Sequence, residues 1–489
     1  MKTLLRTHII EESKVKESLL FLIVGTSAGI IFYYISELSL IYIILFGIGL
    51  FIICTFVIFK KVKNILLGIL TITIPININK YLFFNESHTG GVEGLVISVW
   101  FIILVSLYII WLIEILSGNA SKINFFPRLS IPLILLLLIS ILSIIKATDI
   151  QLSLFQIFQR IKVYLLFFYI INNCNTFKYY RFILSILFVT LFCEVCLGLY
   201  QHYANTYIDL GILTDSHTSK PREFGDLSIM GVSGTMDSDD RFASYLIMML
   251  PLLLSTIISK QKLITKISYL PLLICGVILL IYTFSRGGWL GFGIGMLLFS
   301  TLKIVLSNKN FKKYFQIIFI LVFVFTLIYQ FKDVILLRVL SNDHGSAYSR
   351  IPMMLIALEM IKANPLLGVG INNYVTVMIS YDYTGLASVF FHPVHNVYLQ
   401  LAAEIGIIGL LTFFWFIVML YREVAVSLKK CIEFFQNQMI GLISGITGLL
   451  VHLTVNNATI ETEPFILFWL FAALTVAISD KRFKTEEWA

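Results

Sequence analysis

The chain has 489 residues, of which 58% are hydrophobic and 13% charged, with a formal net charge of +8. Soluble domains average about 25% charged residues, so this composition excludes a soluble globular protein and predicts one embedded in a membrane. The basic residues stand in small groups between apolar runs, which excludes the continuous basic face of a protein that binds nucleic acid.

Long apolar runs that lack the alternating pattern of barrel strands predict an all-α, polytopic integral membrane protein. At about 20 residues to a span, the chain should contain about 12 to 14 transmembrane helices. In chain order, the spans are predicted at residues 18–36, 40–59, 64–78, 93–116, 130–146, 151–171, 180–202, 242–259, 267–284, 288–306, 314–331, 398–421, 438–456 and 463–479.

The distribution of Lys and Arg orients these spans. With the N-terminus in the cytoplasm, about two thirds of the 36 basic residues fall on cytoplasmic segments, as the positive-inside rule requires. This predicts a multi-pass protein of the cytoplasmic membrane with both termini in the cytoplasm.

The spans divide the chain into five segments. They are N-terminal transmembrane helices (1–203), an extracytoplasmic loop (204–241), further transmembrane helices (242–331), a large extracytoplasmic loop (332–397) and C-terminal transmembrane helices (398–489). Loops this long are usually functional in a compact protein, so the chemistry is expected on the outer face. In the second loop, a helix of about 14 residues should begin at an N-cap on Ser349 and lie on the outer leaflet.

Charged residues also lie deep inside two predicted spans. Arg160 and Lys162 fall in the sixth span and Glu194 in the seventh. Charges within the membrane are rare and usually paired or functional. We therefore expect Arg160 and Glu194 to interact between adjacent helices, either as a structural pair or at a site for a lipid phosphate.

The stretch TFSRGGWLGFGIGML has glycines at positions 287, 291 and 295, four residues apart. Such glycines share one helix face and let two helix backbones approach closely. Arg286 precedes them at the outer end of the span, where the positive-inside rule does not explain a basic residue. Its planar guanidinium fits a bidentate phosphate contact, and the alternative is a side chain that only extends towards the membrane surface.

A second polar stretch, FFHPVHNVYLQLAAEIG, stands where a C-terminal span begins. His395 lies at its top, and a histidine near its ordinary pKa can act as a general base at neutral pH. The alternative is a structural histidine that is hydrogen-bonded in place. His392 is the weaker candidate for the same role.

Below His395, three polar residues follow at helical spacing. Asn396, Gln400 and Glu404 are four residues apart and form one stripe on the predicted helix. Because a polar stripe is unfavourable against lipid, it should face the protein interior or a wet cavity.

Three motifs in this order, FSRGGWLG, RIPMMLIALEMIKANPLLGVGINNY and HNVYLQLAAEIGIIG, resemble the bacterial O-antigen ligase and O-antigen polymerase superfamily. The resemblance extends over residues 230–420. It implies a GT-C-like architecture and a glycosyltransferase on the outer face of the membrane. It also implies a donor glycan linked to a polyprenyl diphosphate, expected to be undecaprenyl diphosphate, and neither a metal nor another cofactor.

The resemblance also implies site residues. The functional Arg of the family's S-R-G motif falls on Arg286, its functional His on His395, and the Arg that opens the outer helix on Arg350. The arginines would bind the diphosphate, and His395 would accept or orient the acceptor's hydroxyl proton. Glu404 lies too far down the helix for this chemistry, so it is expected to be architectural or to line the acceptor cavity.

One family position departs from the pattern. Relatives carry a further Arg where this chain has Gly231, so Arg241 or Arg222 is expected to bind the diphosphate instead. Three nearby acids, Asp237, Asp239 and Asp240, have no role in this assignment.

The sequence thus predicts polymerisation of lipid-linked repeat units of a surface polysaccharide: O-antigen, capsule or a teichuronic-acid-like polymer of the cell wall. The alternatives are an O-antigen ligase, a protein O-oligosaccharyltransferase and, in another class, a transporter of a small solute or a lipid-linked glycan. Transporters place substrate near the membrane midplane, whereas most polar candidates here lie at the outer end. Expected partners are the bilayer, the lipid-linked donor, a glycan or lipid acceptor, and a flippase or chain-length regulator.

Overall fold

The computed structural model describes residues 62–76, 78–85, 88, 90–119, 122–207, 222–224, 227–236, 238–259, 263–306, 332, 346–385, 387, 391–456 and 463–480. The chain divides into two compact units, residues 1–65 and 66–489, and the helix packing and polar cluster described below lie in the second. The spans predicted at 18–36, 40–59 and 314–331 lie outside the described residues.

Helices dominate the described part of the chain. Eight of them are long and apolar enough to cross a membrane, and three shorter apolar helices accompany them there. This confirms the predicted all-α, polytopic architecture. The helices are α1 (Val62–Thr73), α2 (Val99–Leu116), α3 (Pro127–Ser143), α4 (Ile150–Asn173), α5 (Phe177–Ala204), α6 (Asp239–Ile258), α7 (Leu263–Tyr282), α8 (Arg286–Leu306), α9 (Ser346–Ala363), α10 (Tyr374–Val377), α11 (Val397–Ser427), α12 (Glu433–His452) and α13 (Glu463–Ser479).

Two short antiparallel hairpins accompany the helices. They pair β1 (Asn79–Leu82) with β2 (Leu95–Ser98), and β3 (Arg222–Phe224) with β4 (Leu227–Ile229). The span predicted to begin at residue 93 therefore begins at Val99, because the residues before it are paired in β2.

Helix α12 lies between α6 and α8, and the predicted glycine face of α8 explains how closely they pack. A Cβ atom on Gly291 would overlap the backbone carbonyl of Gly448. One on Gly295 would lie 2.6 Å from the carbonyl oxygen of Ser444. The prediction of close packing through small residues is confirmed.

Helix α13 packs against α4, α6, α11 and α12. Its Trp469 is fully buried, with the rings of Phe416 from α11 and Tyr164 from α4 centred 5.3 and 5.1 Å away. Large aromatic side chains contribute much of the buried apolar area in such a core. This cluster fixes α4 and α11 around α13.

Helix α11 is broken at Ile405 and Gly406. Gly406 has φ 75°, a left-handed conformation that glycine adopts without a steric penalty. A Cβ atom at this position would also overlap the carbonyl of Leu366. The break therefore admits the segment that follows α9, residues 364–374, against the backbone of α11.

Backbone hydrogen bonds fasten that segment to the break. The carbonyl and N–H groups that the break frees from the helix find new partners, as buried backbone groups must. The N–H of Val369 donates to Ala403 (2.8 Å), that of Gly370 to Glu404 (3.0 Å), and that of Ile407 to Pro365 (2.8 Å).

Helix α9 begins at Ser346, so the predicted N-cap at Ser349 is wrong. No Gly or Pro separates Ser346 from Ser349, and the helix extends back through these residues. The sequence also predicts one apolar side formed by Met353, Met354, Leu355, Leu358 and Ile361, and the buried face differs from it. Met353, Ile356, Ala357 and Met360 are buried, whereas Ile351, Met354 and Leu358 are exposed.

Candidate functional site

The C-terminal end of α12 is the point at which the candidate segments converge. The N–H of Val397, the first residue of α11, donates to the carbonyl of Leu453 at 3.1 Å. The Asn396 side chain donates to the carbonyl of Thr454 at 3.0 Å. The segment carrying His395 is thus bound directly to the end of α12.

The first turn of α8 packs against the same end of α12. A Cβ atom on Gly287 would overlap Val455 and lie 3.9 Å from Cε1 of His452. Arg286, the residue before Gly287, is half-buried and begins α8. The absence of a side chain at Gly287 therefore lets the backbone beside Arg286 approach the His452 ring.

His395 is half-buried, and charged groups from α9 and α6 interact with it electrostatically. Burial lowers its pKa below the ordinary histidine value, and the positive charges of Arg350 and His392 lower it further. The carboxylate of Asp240 acts in the opposite direction and raises it. Near neutral pH, His395 is consequently an uncharged imidazole that can accept a proton.

The structure therefore brings the predicted residues Arg350 and His395 together, from α9 and from the segment before α11. His392 is exposed but lies within electrostatic reach of His395. Together these residues form a polar cluster. Arg286, at the start of α8, lies next to it because α8 packs against α12.

Two residues of this cluster had no predicted role. Asp240 lies in the first turn of α6, after the N-cap Ser238, whose side chain accepts from the N–H of Arg241. His452 ends α12, and both Asp240 and Arg350 interact electrostatically with it, as they do with His395. The available signals in the sequence were the unexplained acids at the start of α6 and the polar stretch HLTVNN at the end of an apolar span.

The remaining diphosphate candidates lie near α6. Arg241 is half-buried and is the third residue of that helix. Arg222 lies on β3, and the structure describes its backbone only. At Gly231, the position of the family's additional Arg, a Cβ atom would lie 2.9 Å from Oδ2 of the buried Asp239. Asp237 lies outside the described residues.

The predicted polar stripe separates into two parts. Asn396 lies before the helix as the N-cap of α11, where its side chain accepts from the N–H of Leu399 at 3.0 Å. Gln400 donates to the buried Glu404 at 3.3 Å. The carboxylate of Glu404 also accepts from the backbone N–H groups of Asn372 and Tyr374. These contacts direct Glu404 to the segment that follows α9, residues 364–374.

The expected pairing of Arg160 with Glu194 is wrong. Glu194 accepts hydrogen bonds from Thr235, at 2.9 Å from its N–H and 2.5 Å from its hydroxyl. Arg160 is buried, donates to Ser140 and interacts electrostatically with Glu404. Although α4 and α5 are adjacent in sequence, α4 packs chiefly on α13 and α5 on α7, which separates the two charges.

Comparison with known proteins agrees with the motifs. Residues 271–414 match a family model described as O-antigen ligase. Arg286, Arg350 and His395 lie inside the matched segment, while Asp240 and His452 lie outside it. No curated protein matches the chain at a significant level. The family match confirms the resemblance drawn from the sequence.

Proposed function

Because residues 271–414 match the O-antigen ligase family model and the motifs within them resemble the O-antigen ligase and polymerase superfamily, we propose that the chain is a glycosyltransferase with a lipid-linked donor. It would act on the outer face of the cytoplasmic membrane. It would transfer oligosaccharide repeat units from a polyprenyl diphosphate, expected to be undecaprenyl diphosphate, to an acceptor hydroxyl.

The electrostatic interaction between His395 and Arg350 carries this proposal. It joins a neutral imidazole, which can take a proton, to a guanidinium, which can bind a phosphate in bidentate fashion. The segment that carries His395 and the turn that begins with Arg286 both contact the C-terminal end of α12. A base and a diphosphate site are the two functions that transfer from a lipid diphosphate requires.

In the proposed reaction, the acceptor oxygen attacks the anomeric carbon of the donor sugar. The bond from that carbon to the diphosphate oxygen breaks, and its electron pair leaves on the diphosphate. The proton of the acceptor hydroxyl passes to His395. Arg286 and Arg350, with Arg241 or Arg222, stabilise the charge that develops on the leaving group. The arginines supply the positive charge for this step, so the proposal includes no metal or organic cofactor.

Within this class we favour a polymerase of a surface polysaccharide over an O-antigen ligase or a protein O-oligosaccharyltransferase. Deleting the gene and separating surface and carrier-linked glycans by gel distinguishes these activities. Loss of a polymerase should leave single repeat units on the final acceptor. Loss of a ligase should leave long chains on the lipid carrier, and loss of a protein transferase should leave unglycosylated protein. An unchanged glycan profile would contradict all three.

Purified variants test the site itself. His395→Ala and Arg286→Ala should abolish transfer while the amount of folded protein stays at the wild-type level. Arg422→Ala is the matched control for loss of a positive charge, because Arg422 is exposed near the opposite end of α11. Wild-type turnover by His395→Ala would exclude the proposed base. A purified protein that moves lipid-linked glycan across vesicles without transferring it would instead be a transporter.

A further inference from the structure

His452 carries a buried ring nitrogen that has no hydrogen-bond partner. The residue is only 1% exposed, and its Nδ1 atom lacks a partner among the described residues. Buried polar groups are nearly always hydrogen-bonded, and one left unpaired destabilises the protein. An unpaired nitrogen in a polar cluster is available to bind a ligand atom.

The other ring nitrogen determines which proton His452 carries. Its Nε2 lies 2.7 Å from the amide nitrogen of Asn456. An amide nitrogen only donates hydrogen bonds, so Nε2 accepts this one. The proton of the neutral ring is then on Nδ1, and the unpaired group is an N–H donor.

The surroundings of the ring select the kind of ligand. Cε1, the carbon between the two nitrogens, lies 3.9 Å from the Cβ position of Gly287, so the nitrogen-bearing edge faces the turn that follows Arg286. Asp240 and Arg350 both interact electrostatically with this ring, as they do with His395. An N–H donor that has Arg350 nearby and faces the turn after Arg286 can bind an anionic oxygen, which forms a stronger hydrogen bond than a neutral hydroxyl.

We propose that His452 is a substrate-binding residue whose Nδ1–H donates a hydrogen bond to an oxygen of the donor's diphosphate. This inference rests on the proposed function and adds a residue from α12, outside the segment that matches the family. Asn456 acts as a positioning residue, since it holds the ring in the tautomer that donates from Nδ1.

Two substitutions at His452 separate this role from a structural one. In His452→Asn, the side-chain amide places an N–H near the position of Nδ1 but loses the contact with Asn456. In His452→Gln, the longer side chain can accept from Asn456 through its carbonyl oxygen but has no donor at the Nδ1 position. The proposal and a structural role therefore predict opposite orders of activity.

The measurement is kcat/KM of the purified protein for the lipid-linked donor. We expect His452→Gln to lose about tenfold to a hundredfold, the usual effect of losing a hydrogen bond to a charged group. His452→Asn should retain at least about tenfold more activity than His452→Gln, and KM for the acceptor should stay constant in both. A more active His452→Gln would overturn the proposal. A wild-type protein that neither binds nor consumes the lipid-linked donor would overturn the proposed function itself.

A binding measurement on the wild-type protein covers the case in which the variants do not fold. With ¹⁵N-labelled histidine, His452 should give the signature of a ring protonated on Nδ1 and unprotonated on Nε2. Inorganic pyrophosphate should shift this Nδ1–H resonance, and equimolar sulfate should shift it less. A resonance that does not move at saturating pyrophosphate would exclude contact between Nδ1 and the diphosphate.

Discussion

Asn396 and Thr454 join the start of α11 to the end of α12. The Asn396 amide donates to the Thr454 carbonyl at 3.0 Å while its carbonyl oxygen caps α11. One side chain thus begins the helix and anchors it beside His395.

The two contacts of Asn396 can be separated by substitution. Asn396→Asp retains an N-cap acceptor but loses the donor to Thr454, whereas Asn396→Ala loses both. Loss of an N-cap acceptor costs about 0.5–2 kcal/mol, so Asn396→Ala should show the lower midpoint of thermal unfolding. Both variants should lose activity, because the adjacent His395 is less well oriented. Full activity in Asn396→Asp would show that the contact with Thr454 does not position His395.

The pH dependence of transfer should follow His395. It accepts a proton only when neutral, and its pKa is lowered by burial and Arg350 and raised by Asp240. In the wild type, kcat/KM should therefore fall only below about pH 6.5, the ordinary histidine value. Asp240→Asn removes the interaction that raises the pKa and should move the acid limb to lower pH. Arg350→Gln should move it to higher pH. If the acid limbs of the kcat/KM profiles coincide in the wild type, Asp240→Asn and Arg350→Gln, this would argue against His395 as the base.

The glycine face of α8 allows a matched comparison. Gly291→Ala introduces a Cβ atom that overlaps the Gly448 carbonyl, whereas one on Gly293 meets nothing within 4 Å. Overpacking typically costs about 1–3 kcal/mol, so Gly291→Ala should lower the midpoint of thermal unfolding and the activity. Gly293→Ala should leave both unchanged or raise stability slightly, because alanine favours the helix. Equal effects at the two positions would contradict the close packing of α8 on α12.

Glu404 should matter for stability rather than for chemistry. Glu404→Ala removes the acceptor for Gln400, Asn372 and Tyr374 and the negative charge near the buried Arg160. Removing one partner of a buried charge interaction typically costs about 3–5 kcal/mol. We expect a large drop in the midpoint of thermal unfolding, with Glu404→Gln intermediate. The pH dependence of kcat/KM, measured on the protein that remains folded, should not change. An acid limb that shifts in pH would instead connect Glu404 to the proton transfer.

The sequence predicted the fold and the site best where a feature depends on residues close together in the chain. The spacing of Gly287, Gly291 and Gly295 specifies one helix face, and the short motifs around Arg286 and His395 are each read within a few residues. By contrast, Asp240 and His452 reach the cluster from α6 and α12, which flank the matched segment in sequence. Only the packing of α12 between α6 and α8 brings them together, and no local pattern encodes that packing.

Two predictions failed or changed because a tertiary contact prevailed over local spacing. The polar stripe assumed one continuous helix, but the segment after α9 enters the break at Gly406 and takes Glu404 as its partner. The pairing of Arg160 with Glu194 assumed that consecutive spans pack together. The large aromatic core around Trp469 instead draws α4 towards α13.

The segment inserted at Gly406 also has a mechanical consequence. Its main-chain hydrogen bonds join the end of α9 to α11. The helix that carries Arg350 and the helix that begins beside His395 are therefore braced against each other through the backbone, and the separation of the two side chains does not depend on side-chain contacts alone.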